Sequence, residues 1–185
     1  GRFKRALLFG VTPELATMDW PDGTRLLAVD RSEGMIRHVW PRSGLTVAAH
    51  VICGNWNRLP VADGSLDMVV GDGFYTPQTY PGDYLRLGAE LHRALRPGGC
   101  YLIRVFVRPE EREGMDAIQR DFLAAGIGTF HALKWRIAMA LHGSPEDGVR
   151  LADVWRHWTT MRAEAERLGI APAWPPEEIS TIDAY

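Results

Sequence analysis

Residues 26–36 run LLAVDRSEGMI: four apolar residues that stop at Asp30, then Ser32 and Glu33 opening a segment that carries Met35, Ile36 and Val39 before Pro41 ends it. A short apolar run closed by a turn signal suits a strand buried on both faces. Ser placed just before a helical pattern is a helix N-cap. The stretch is therefore a strand followed by a helix.

The same alternation extends in both directions. Upstream, RALLF (5–9) ends at Gly10, and a turn at Pro13 leads into a short helical stretch from Glu14 to Met18. Downstream, 47–53 is a third strand, a polar turn spans 61–65, and Leu66 to Val70 is a fourth strand of mid-sheet character. Leu85, Leu87, Leu91 and Leu95 then fall at helical spacing, and Arg96, Pro97, Gly98 and Gly99 stop that helix ahead of a strand over 100–107. Helices follow at 110–125, 130–142 and 149–168, and the Pro-rich last fifteen residues look irregular. Alternating strands and helices call for a parallel sheet with right-handed crossovers. The expected fold is α/β, a Rossmann-like doubly wound parallel sheet of order 3-2-1-4-5 with a C-terminal helical segment. Residues 1–128 would form the core, and 129–185 a helical insertion or lid segment of the same domain. Ligands bind such sheets beyond the carboxyl ends of the strands where the order reverses. The loops after Phe9, Val29, Cys53 and Val70 should share one crevice.

Composition narrows the function classes. The 21 Lys and Arg nearly balance the 23 Asp and Glu across 185 residues, so no basic surface invites nucleic acid. No apolar run approaches membrane length and no signal-peptide pattern opens the chain. A cytoplasmic protein with no membrane partner is the expectation. Cys53 and Cys100 lack metal-ligand spacing, so two buried, reduced thiols and no metal are expected. The chain opens on Gly1 and is strand-like by Phe3, which suggests a preceding segment. Oligomeric state is not legible.

Three segments, LLAVDRSEGMI (26–36), GNWNRLPVADGSLDMVVGDG (54–73) and ELHRALRPGGCYLIRVF (90–106), together make the chain resemble the class I S-adenosylmethionine (SAM)-dependent methyltransferases, small-molecule branch, over roughly residues 5 to 127. The resemblance implies SAM as cofactor. It implies that Asp30 accepts from both ribose hydroxyls, although the same residue would serve as a helix cap. Met35 and Ile36 would flank an adenine or pack as core. Asn55 would stand against the adenine amino group, its amide able to accept and donate, with Trp56 beside the ring; otherwise they are a turn residue and a partly buried aromatic. Asp72, between Gly71 and Gly73, would hold the ammonium of the methionine portion. Phe74 and Tyr75 would line cofactor or substrate, or simply pack.

The first loop departs from the family pattern. Its glycines should let the backbone approach the cofactor closely, yet LLFGVTPEL keeps only Gly10. Thr12 and Glu14 occupy the second and third glycine positions, and Leu8 stands where an acid is usual. Three explanations stay open: SAM bound along a shifted path with Thr12 donating and Glu14 replacing the acid, a lost cofactor, or a different ligand. A dinucleotide fits less well, because Glu14 at the helix start would repel phosphate. The cofactor crevice expected is Gly10, Thr12, Asp30, Asn55, Trp56 and Asp72. The segment 131–143 surrounds an apolar stripe with Lys134, Arg136, His131 and His142, either a lid or a solvated helix face. His131 is the best candidate base, but methyl transfer depends mainly on proximity and orientation, and no catalytic residue is named. The alternative is a catalytically silent, methyltransferase-like binding or scaffold module.

Overall fold

The computed structural model describes residues 4–107 and 109–182; Phe3 lies outside them. Five parallel strands form one sheet in the order β3-β2-β1-β4-β5. They are β1 (Arg5–Phe9), β2 (Arg25–Asp30), β3 (Ala48–Cys53), β4 (Leu66–Asp72) and β5 (Leu95–Arg104). The expected order is the observed one.

Burial follows strand position. β1 sits at the centre, and its side chains alternate between two layers. Leu7 and Phe9 pack with Leu87, Leu91 and Ala94 of α3 (Gly82–Ala94), whereas Ala6 and Leu8 pack with Ala16 of α1 (Pro13–Ala16) and Trp20. Between β2 and β3 runs α2 (Glu33–Val39), capped by the Ser32 hydroxyl, which accepts from the Met35 N–H at 3.2 Å. None of its residues is buried, so Met35 is exposed rather than core. Cys53 is exposed too and Cys100 half-buried, both as free thiols. Neither of the two thiols expected to be buried is buried, for a positional reason: β3 and β5, which carry them, are the two edge strands of the sheet.

The Arg96 to Gly99 segment corrects another boundary. It belongs to β5, which begins at Leu95, and the register shifts between Leu66 and Met68 of β4 absorb the turn. Asp67 ties this corner together. Its carboxylate accepts from the Lys4 and Arg5 N–H groups at 2.9 and 2.8 Å and from Arg96 Nε.

The chain divides into two compact units, Gly1–Phe106 and Val107–Tyr185. This places the boundary ahead of 128, because α4 (Met115–Leu123) packs in the second unit. Its Ile118 and Phe122 join Phe130, Trp158 and Trp174 in one core. That unit also holds α5 (Phe130–Leu141), α6 (Leu151–Arg167) and α7 (Pro176–Ile179), the last within the tail expected to be irregular. The Thr129 hydroxyl caps α5 by accepting from the Ala132 N–H at 3.1 Å. No described helix is long and apolar enough to cross a membrane.

Candidate functional site

The carboxyl ends of β1, β2 and β4 carry the residues of interest. Gly10 follows β1 with φ of +82°, a left-handed conformation that favours glycine, and its N–H donates to Val29 O at 2.9 Å. A Cβ at this position would stand 3.7 Å from Asp30 Oδ2. Asp30 ends β2 and is only 7% exposed. Its Oδ1 accepts from the Ser32 N–H at 2.8 Å, whereas Oδ2 faces the Gly10 turn and takes no hydrogen bond from the described residues. Helix-cap and ligand-binding readings of Asp30 therefore divide: Ser32 is the cap of α2, and one carboxylate oxygen stays available.

The other members vary in how they are engaged. Thr12 is the N-cap residue of α1 but makes no side-chain cap bond, and Glu14, in the first turn of that helix, is exposed. Asn55 is exposed; its Oδ1 accepts from the Asn57 N–H at 2.9 Å, a local turn bond. That leaves the Asn55 amide nitrogen and one lone pair of its oxygen for a ligand. Trp56 is 7% exposed and belongs to the core of the sheet unit. Its Nε1 donates to Val29 O at 2.8 Å, Phe9 and Phe74 meet it edge-on at 6.0 and 6.1 Å, and the Arg31 guanidinium lies 4.8 Å from its ring. The indole is thus more enclosed than the sequence suggests.

Asp72 is already paired. Arg104, its register partner on β5, donates through Nε and Nη2 to the two carboxylate oxygens, the first bond at 2.6 Å. Such a fork is a strong charge-assisted contact. Asp72 holds the guanidinium above its ordinary value, with Glu14 adding a weaker attraction, so the three charges are electrostatic neighbours. Sequence analysis missed Arg104. The signal was present, since parallel pairing puts the acid ending β4 opposite the base ending β5.

After β4 the chain turns at Gly73 (φ +63°), whose N–H donates to Arg104 O at 3.0 Å. Phe74 folds back over Gly71 and is buried, so it packs, while Tyr75 is half-buried. His131 belongs to the second unit, at the first turn of α5. Its N–H donates to Glu178 Oε1 at 3.4 Å, and burial, then Lys134, lowers its titration below the usual histidine range.

Five parallel strands ordered 3-2-1-4-5, with the Gly10 turn after β1 and Asp30 ending the adjacent β2, define a Rossmann-like fold. Residues 10–99 match the family described as methyltransferase domain. That match covers just under half of the chain and agrees with the class its sequence resembles. Among solved structures it is similar to a putative sarcosine dimethylglycine methyltransferase from Galdieria sulphuraria: 16% identity, 99% of this chain and 70% of that one covered, TM-score 0.51. It is also similar to a SAM-dependent methyltransferase from Aquifex aeolicus, with 19% identity, 87% and 73% covered and TM-score 0.48. A third is a SAM-dependent methyltransferase from Methanosarcina mazei, with 24% identity, 55% and 52% covered and TM-score 0.43. The aligned region spans about half the length of that last chain. At these identities the likeness is one of fold. No curated protein matches the sequence significantly.

Proposed function

We propose that the chain is a SAM-dependent methyltransferase domain acting on a small-molecule acceptor, with its cofactor crevice formed by Gly10, Thr12, Asp30, Asn55, Trp56 and Asp72. The observation that carries this reading is Asp30 Oδ2, an acceptor left open toward the Gly10 turn, whose positive φ favours glycine. A carboxylate oxygen so placed suits a ribose hydroxyl pair.

Bound SAM would supply a methyl group on a sulfonium, an electrophile that needs no further activation. The protein's part is then to position and to exclude water. Gly10 lets the backbone come close, Asp30 orients the ribose, and the Asn55 amide offers a donor to the base. Trp56 supports the loop from beneath. Asp72 and Arg104 form a two-sign surface: the acid, helped by Glu14, attracts an ammonium, and the outer edge of the guanidinium attracts a carboxylate. This modifies the role expected of Asp72 alone, because its charge is largely compensated. Thr12 adds a hydroxyl donor. The compensation of Asp72 also favours the alternative, a catalytically silent module.

Calorimetric titration with S-adenosylhomocysteine separates the two. Binding should be measurable, and Asp30→Ala should weaken it by about 1–3 kcal/mol, the scale for a hydrogen bond to a charged group. Absence of binding to the folded chain would leave the silent module.

A further inference from the structure

A column of aromatic rings leaves the sheet at the end of β1 and reaches the surface. Phe9 and Phe74 stack at 4.4 Å and Phe74 and Tyr75 at 4.8 Å; Tyr84 lies tilted against Tyr75 at 4.7 Å, with Tyr80 edge-on to Tyr84 at 5.4 Å. Exposure rises along it, from 1% at Phe9 and 4% at Phe74 to 36% at Tyr84 and 41% at Tyr80. Gly71 makes room for this path, since a Cβ there would stand 2.4 Å from the Phe74 ring.

Two carboxamide oxygens at the same end of the sheet lack donors among the described residues. Asn57 Nδ2 donates to Asp83 Oδ1 at 3.0 Å, and Gln78 Nε2 donates to Phe74 O at 3.2 Å. These bonds fix the direction of each amide, because a flip would set oxygen against oxygen. Asn57 Oδ1 and Gln78 Oε1 are nonetheless buried and accept nothing, and Gln78 as a whole is 9% exposed. Buried carbonyl oxygens are normally paired. Asn57 lies in the loop after β3 and Gln78 in the loop after β4, both at the ligand-binding end of the sheet. Asp83, the nearby carboxylate, is held at about 2 by Arg86 first and then by the Thr79 N–H. Its charge is spent within the protein, which favours a neutral ligand over a cationic amine.

We infer that the outer end of the column is the methyl-acceptor site, and that it takes a neutral planar aromatic molecule bearing an O–H or N–H. The ring packs against Tyr84 and Tyr80, where offset and edge-on packing are both accessible, and its donor pairs with one orphaned amide oxygen, that of Gln78. As an acceptor site it rests on the methyltransferase reading above. The location agrees with that reading, since Phe9, the inner end, directly precedes Gly10.

Three probes test it on the unaltered chain by calorimetry: 2-naphthol, 2-methoxynaphthalene, which lacks the donor, and decahydro-2-naphthol, which lacks the flat ring. 2-Naphthol should bind at least tenfold more tightly than either. Tyr84→Leu should weaken 2-naphthol at least fivefold and leave S-adenosylhomocysteine unchanged, and Gln78→Met should narrow the gap between 2-naphthol and its methyl ether. Equal affinity for those two probes, or indifference to Tyr84→Leu, overturns the inference. Binding of S-adenosylhomocysteine without 2-naphthol overturns it alone. The reverse pattern keeps the ring site but removes its acceptor role, together with the methyltransferase reading.

Discussion

In the helical unit Phe122, Phe130, Trp158 and Trp174 pack against one another with centroids 4.8 to 6.3 Å apart, and none exceeds 7% exposure. In the sheet unit the rings instead form a file from buried Phe9 to exposed Tyr80. Several polar groups differ between the units as well. Trp174 Nε1 is satisfied by Ile127 O at 3.0 Å, and the Glu178 carboxylate reaches the Phe130 N–H at 2.8 Å. The sheet unit leaves Asp30 Oδ2, Asn57 Oδ1 and Gln78 Oε1 without partners among the described residues. Closed aromatics and paired polar groups serve cohesion. An open file of rings beside unpaired acceptors gives up some stability where a ligand can restore it.

The contrast is broken most severely in the closed core. Trp158→Ala should cost about 3–5 kcal/mol in urea unfolding, the range for a buried aromatic truncated to a methyl. S-Adenosylhomocysteine affinity per folded molecule should be unchanged, since every proposed cofactor residue lies in the sheet unit. Loss of that affinity from a sample still folded would show that the division of labour is wrong.

A smaller effect sits at the Asp67 corner of the sheet. Arg96 first, then the Lys4 N–H, lower the Asp67 carboxyl from 3.8 to about 2. The unfolded chain therefore takes up this proton at higher pH than the folded one. The contribution is present above about pH 4 and lost as pH falls toward about 2. Asp67→Ala should cost about 1–3 kcal/mol near neutrality, the scale for hydrogen bonds to a charged acceptor. The variant should also show a flatter acid limb in a series of unfolding curves; an unaltered acid limb would mean that the corner does not hold the strand.

Smallest are the two helix caps, one per unit. Thr129→Ala and Ser32→Ala each remove a side-chain bond to a first-turn N–H, worth about 1 kcal/mol. Amide exchange should speed up in α5 and α2 respectively. The α2 change should barely register in global unfolding, because that helix buries none of its residues.

Strand order was legible because the apolar runs at 5–9, 26–29 and 66–70 are too short for helices and each ends at a glycine or an acid. The Ser32 cap was legible for the same local reason. The start of β5 was not, because Arg96 to Gly99 has turn chemistry, and only pairing with β4 through a register shift makes it strand. Unit membership of α4 was also hidden, since an amphipathic stripe says what is buried but not against which partner. At the site, Gly10 and Asp30 could be placed from strand ends alone. The enclosure of Trp56 and the fork on Asp72 depend on neighbours distant in sequence, Phe9 and Phe74 for one and Arg104 for the other.

Trp56 supplies an optical consequence. The chain has seven tryptophans, and this one donates to the carbonyl of the residue before Asp30 while a guanidinium lies over its ring. With the remaining six replaced by phenylalanine, its emission would report events at the Asp30 turn without any label. A wavelength shift on adding nucleoside would then time the arrival of ligand on the millisecond scale accessible to rapid mixing.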